Sequence, residues 1–94
     1  MESLALYQSI IKNAQSTVHD KIDAYIELAK GLLETEIDQS LCNAMDALML
    51  IQESGQTEAL AETNYWLGVI KSKQRHYDEA VQYFEKAKQK CSPE

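Results

Sequence analysis

Tyr65-Trp66-Leu67-Gly68-Val69-Ile70-Lys71-Ser72-Lys73-Gln74-Arg75-His76-Tyr77-Asp78-Glu79-Ala80-Val81-Gln82-Tyr83-Phe84-Glu85-Lys86-Ala87 is the stretch that decides the fold. Apolar residues recur at helical steps on both sides of Gln74–His76. Leu60, Ala61, Leu67, Gly68 and Ile70 come before it, and Tyr77, Ala80, Val81, Phe84, Ala87 and Cys91 come after it. Such steps line one face of an α-helix. The break between them is short, so the two helices fold back on each other as an antiparallel hairpin.

The same pattern stands upstream. Asp38, Ser40, Leu41, Ala44 and Ala47 recur forty positions later as Asp78, Ala80, Val81, Phe84 and Ala87, and Leu28-Ala29 recurs thirty-nine later as Leu67-Gly68. Small residues repeat where two helices must approach closely: Ala29 and Gly68 on one helix, Ser40 and Ala80 on its hairpin partner. The internal repeat therefore predicts two helix hairpins of similar build.

The rest of the chain completes an all-α fold of five helices. Leu4, Tyr7, Ile11, Ala14 and Val18 predict a leading helix over residues 3–18, which caps the N-terminal side. Asp20 caps a second helix carrying Ile22, Tyr25, Ile26, Leu28, Ala29, Leu32 and Leu33. Thr35 caps a third, with Ile37, Leu41, Ala44, Ala47, Leu48 and Ile51, which Ser54-Gly55 ends. Thr57 caps the fourth helix, and Pro93 stops the fifth. One domain of residues 1–94 results: a leading helix at 1–19, a first unit at 20–55 and a second at 56–93.

Composition agrees. One proline and three glycines in 94 residues leave few breaks, so long helices are favoured. The net charge of −6 is uneven: residues 1–70 are acidic and residues 71–94 slightly basic. An acidic chain repels nucleic acid and anionic membrane unless a basic patch gathers somewhere. Lys71-Ser72-Lys73-Gln74-Arg75-His76 is the candidate, and it reads as a helix end, where cations suit the dipole. Neither nucleic acid nor membrane is an expected partner. No apolar run approaches a membrane span and no leader pattern opens the chain, so the expected location is cytoplasmic, with Cys42 and Cys91 as reduced structural thiols.

The second unit resembles a tetratricopeptide repeat. Leu67-Gly68, Tyr77, Ala80, Phe84, Ala87 and a following proline, Pro93, fall at that family's signature spacings. The first unit is a divergent version, with Tyr25, Leu28, Ala29, Ser40, Ala44 and Ala47 at the matching places. The repeats resemble an extended variety of about 40 residues, longer than the usual 34. Their arrangement is similar to repeat arrays that precede the output domains of bacterial signalling proteins. The resemblance implies a short solenoid of stacked hairpins.

The resemblance also implies a function: non-catalytic binding of another protein's peptide or helix on the concave face. Tyr65, Val69, Ser72 and Lys73 would line that face from the second unit, with Ile26, Lys30 and Leu33 as counterparts from the first. Some members of the family grip a C-terminal carboxylate with Lys, Asn and Arg. Tyr65 and Val69 stand at such positions here, so a more apolar ligand is implied. The rival reading is a regulatory segment that biases a kinase, cyclase or transcription regulator. Trp66, consecutive with Tyr65, points about 100° away and is assigned to the core.

No catalytic set is legible. His19 and His76 lie at separate turns without the spacing of a metal site. Neither cysteine has a base nearby in sequence. The acids cluster at helix starts, and the glycines are isolated, so no phosphate loop forms. No enzyme, metal or cofactor is expected. No sixth helix covers the fifth, whose outward side carries Gln82, Glu85, Lys86, Gln89 and Tyr83. That predicts either a homodimer through helices four and five or a longer array.

Overall fold

Five α-helices follow one another: α1 Glu2–Lys12, α2 Val18–Leu32, α3 Ile37–Ser54, α4 Leu60–Lys73 and α5 Tyr77–Cys91. The computed structural model describes the backbone at 2–55 and 57–91 and the side chains at 5–55 and 57–88. Expectations for the side chains of Leu4, Gln89 and Cys91, and for Pro93, lie outside the described residues. There is no strand among those described.

The ends of the helices correct the sequence-based caps. Thr17, not Asp20, caps α2: its Oγ1 accepts the Asp20 N–H at 3.0 Å. Asp20 falls inside the first turn, where its charge suits the dipole. α1 stops at Lys12, so Ala14 lies in the connecting turn and Val18 opens α2 rather than closing α1. Thr35 does not cap α3, because its N–H bonds to the Leu32 carbonyl at 3.2 Å and thereby closes α2. Glu36 holds the cap position without a side-chain bond. Thr57 likewise begins a short 3-10 turn, Thr57–Ala59, ahead of α4.

Gly55 ends α3 as expected, with φ +77° and its N–H on the Ile51 carbonyl at 2.9 Å. Arg75 occupies the same left-handed region at the end of α4, with φ +68°. The His76 N–H reaches back to the Lys71 carbonyl at 2.9 Å, which satisfies an end-of-helix acceptor.

Each helix packs on the next in sequence, and α2 also touches α4. Two clusters form the core. Ile22, Ile26, Ala47 and Ile51 make one, with Trp66 and Tyr25 packed against it. Ala29, Ala44, Leu67 and Ile70 make the other, with Leu33, Ile37, Leu41 and Tyr83 against it. The repeated small residues are buried: Ser40, Ala44, Ala47, Gly68, Ala80 and Ala87.

Two close approaches show why small residues stand there. At the end of α2 the Leu33 N–H turns to the Lys30 carbonyl, and the Ser40 hydroxyl donates to the Ala29 carbonyl instead. A buried carbonyl is thus satisfied across the hairpin. In the second hairpin, Gly68 was expected to face Ala80. The Phe84 ring is what lies over it: a Cβ at position 68 would stand 2.7 Å from Phe84 Cδ1 and Cε1. Tyr83 is also corrected. It turns inward rather than lying on the outward side of α5, and its hydroxyl lies 3.9 Å from Met45 Sδ on α3.

Candidate functional site

Gly68 positions an open apolar feature on α4 and α5. With no Cβ in the way, the Phe84 ring lies down on α4 and meets Tyr65, ring centroids 5.8 Å apart. Tyr65 in turn meets Trp66 edge-on, at 5.2 Å and 80°. Lys30 on α2 places its Nζ 5.4 Å from the Trp66 ring centre, a cation–π distance. A continuous strip, Lys30–Trp66–Tyr65–Phe84, therefore crosses α2, α4 and α5. Trp66 packs on the first core cluster, as expected, while Tyr65 remains 48% and Phe84 36% exposed.

Beside this strip lies a groove of about 530 Å³ between the start of α4 and the second half of α5. Ala61, Tyr65, Phe84 and Ala87 supply its apolar walls, and Glu58, Glu62 and Lys88 its charged rim. Among the described residues, neither glutamate has an ion-pair partner. The groove can take an apolar side chain and favours a cation beside it.

The expected site residues divide. Ile26 is only 2% exposed and belongs to the first core cluster, so it offers no surface to a ligand. Its step of four from Ile22 on α2 turns it inward. Leu33 is half-buried on the second cluster, and Val69 and Ser72 are half-buried. Lys73 bonds to Glu34 at 2.9 Å, tying the end of α4 to the loop after α2. Lys30 pairs with Glu27 at 3.2 Å. The structure brings Tyr65 together with Trp66 and Phe84. The polar end, Lys73 and Glu34, is engaged within the chain.

Reasoning from sequence missed Phe84, Ala61, Ala87, Glu58, Glu62 and Lys88 as site residues. The signal existed: positions 61, 62 and 65 on α4, with 58 in the 3-10 turn just ahead of it, and 84, 87 and 88 on α5, recur at helical steps.

Two groups have shifted ionisation. Burial, and secondarily the Asp46 charge, push the Tyr25 hydroxyl up. Glu79 is held down by a hydrogen bond from Lys71 and by its charge, the two lying 2.9 Å apart across the α4–α5 turn. His19 contacts Asp23 at 3.3 Å on the surface of α2. Cys42 is exposed, where a structural thiol would be buried or half-buried. Among the described residues no three His, Cys, Asp or Glu side chains gather to hold a metal, and no helix is long and apolar enough to cross a membrane.

Comparison with models of known families, with curated proteins and with solved structures found no match to this chain.

Proposed function

We propose that this chain is a non-catalytic protein-recognition module of the repeat type, and that it binds a peptide or helix presenting an apolar anchor next to a basic residue. The observation that carries this reading is the groove between Tyr65 and Phe84. Its walls are aromatic and aliphatic, and its rim holds two unpaired glutamates among the described residues. Aromatic walls give a large contact area at a small cost in side-chain entropy. The glutamates add charge selectivity on the more acidic part of the chain. The repeat pattern supports the same reading, because stacked hairpins present a rigid surface that need not reorganise on binding.

A displayed library of random peptides, selected on the immobilised chain, tests this. Selected peptides should share an apolar residue with Lys or Arg within one or two turns. Binding can be followed through Trp66, the single tryptophan, which touches Tyr65. Tyr65→Ala should weaken a selected peptide at least about tenfold, as expected for an interface anchor. Glu62→Lys should weaken it by a smaller factor that shrinks with added salt. Selection of acidic peptides, or binding that survives Tyr65→Ala, would refute the assignment.

A further inference from the structure

Helix α5 is covered along one side. Ala80 and Ala87 are buried, while the neighbouring stripe leaves Tyr77 59%, Val81 54% and Phe84 36% exposed. These three stand at steps of four and three, which places them on one face. The internal repeat shows how the same fold treats an equivalent stripe. Ile37, Leu41 and Ala44, forty positions earlier on α3, pack in the cluster that includes Leu67 and Ile70 of α4. What the next helix covers on α3 is left open on α5.

The charges around the open stripe say what fits over it. Asp78 and Lys88 are exposed near opposite ends of α5, and neither has an ion-pair partner among the described residues. Two of their neighbours are engaged, Glu79 with Lys71 and the Lys86 Nζ 5.4 Å from the Tyr83 ring centre, while Glu85 is exposed and without an ion-pair partner among the described residues. Two copies of α5 crossing antiparallel near position 83 bring each Asp78 to the other copy's Lys88. Val81 and Phe84 of both copies then lie between the pairs. A parallel crossing would set like charges together, so the pattern is self-complementary in one orientation only.

We propose that the chain forms a two-fold symmetric dimer through α5, with Val81 and Phe84 at its centre and Asp78–Lys88 pairs at both ends. A two-fold contact uses the same patch on both copies, as this one does. A fully covered aromatic side chain buries about 150–250 Å². At their exposures, Tyr77, Phe84 and Val81 offer roughly 200–300 Å² of apolar surface per copy. Tight complexes bury about 800 Å² per partner, so the dimer is reversible and fills as concentration rises.

Sedimentation velocity over a wide concentration range, at low salt, tests the proposal. The mass should climb from 10.7 kDa towards twice that value. Val81→Glu should weaken association at least about tenfold, as for a central anchor. Its thermal melt at dilute concentration should be unchanged, because the side chain is exposed. Asp78→Lys and Lys88→Glu should each weaken the dimer. The two together restore opposite charges at both ends and should recover most of the loss. A mass that stays at 10.7 kDa throughout overturns the proposal. So does association indifferent to Val81→Glu, or a double variant no better than the single ones.

Discussion

Gly68→Ala, read in the presence and absence of the Phe84 ring, isolates the contact on which the candidate site is built. The new Cβ would lie 2.7 Å from two ring carbons, where ordinary carbon contacts are about 3.5–4.0 Å. The ring must therefore move by about 1 Å. Overpacking of this kind costs about 1–3 kcal/mol. Alanine is better than glycine inside a helix by about 0.8–1.0 kcal/mol, which offsets part of it. Gly68→Ala should thus destabilise the wild type by about 0–2 kcal/mol. In a Phe84→Ala background the overlap is gone, and the same change should stabilise by about 1 kcal/mol. The sign reversal is the prediction, with a coupling of about 1–3 kcal/mol between the two positions. Urea unfolding of the four proteins, followed by circular dichroism, measures it. Additivity within about 0.5 kcal/mol would refute the account of Gly68 as the floor under Phe84.

Three other outcomes follow from particular contacts. Ser40→Ala leaves the buried Ala29 carbonyl without its donor, which costs about 1–3 kcal/mol less about 0.5 for better helix propensity. The thermal midpoint should fall by about 2–20 °C. Ser9→Ala, on an exposed helical position, should leave it nearly unchanged. Arg75→Gly relieves a left-handed non-glycine residue and should raise stability by about 1 kcal/mol, read as a higher urea midpoint. Glu79 is held below its ordinary value of 4.5 in the folded chain, so the stability it adds is present above that pH and is lost as pH falls through its folded value. The gap in urea midpoint between wild type and Glu79→Gln should therefore be largest near neutral pH and close in acid. A gap that widens in acid would show that the Lys71 pairing is not its source.

Periodicity made the helices legible, because every helix must turn a continuous apolar face inward to be stable. The five segments and the repeat spacing both rest on that one requirement. The caps were less legible, because several polar residues stand at each boundary and a single hydrogen bond decides among them. Thr17 wins over Asp20 because its hydroxyl meets the Asp20 N–H, while Thr35 is lost to the closing turn of α2. Side-chain direction was harder still. Its polar neighbours place Tyr83 on the outward side of α5, yet its ring covers the second cluster. Ile26 was assigned to a surface by family likeness, although its step of four from Ile22 already placed both on the core face. Which residue lies over Gly68 depends on how α4 and α5 cross, and no local pattern encodes that.

The two proposals meet at Phe84, and this sets their relation. Its ring walls the groove beside Tyr65, and it also belongs to the α5 stripe with Tyr77 and Val81. Lys88 likewise lies on the groove rim and at the end of the stripe. A second copy of α5 lying over Phe84 would fill the space an anchor side chain needs, so peptide and second copy exclude each other. Each then shifts the other's equilibrium by mass action, and the effect is reciprocal. A peptide selected on dilute chain should convert the dimer to a one-to-one complex, and its apparent affinity should fall as chain concentration rises. Val81 touches only the dimer side of this balance, since it does not line the groove. Val81→Glu should therefore remove the concentration dependence while leaving the affinity measured on dilute chain intact. If Val81→Glu weakened that affinity too, the two surfaces would be one, and the peptide would have to lie along α5 rather than in the groove beside Tyr65.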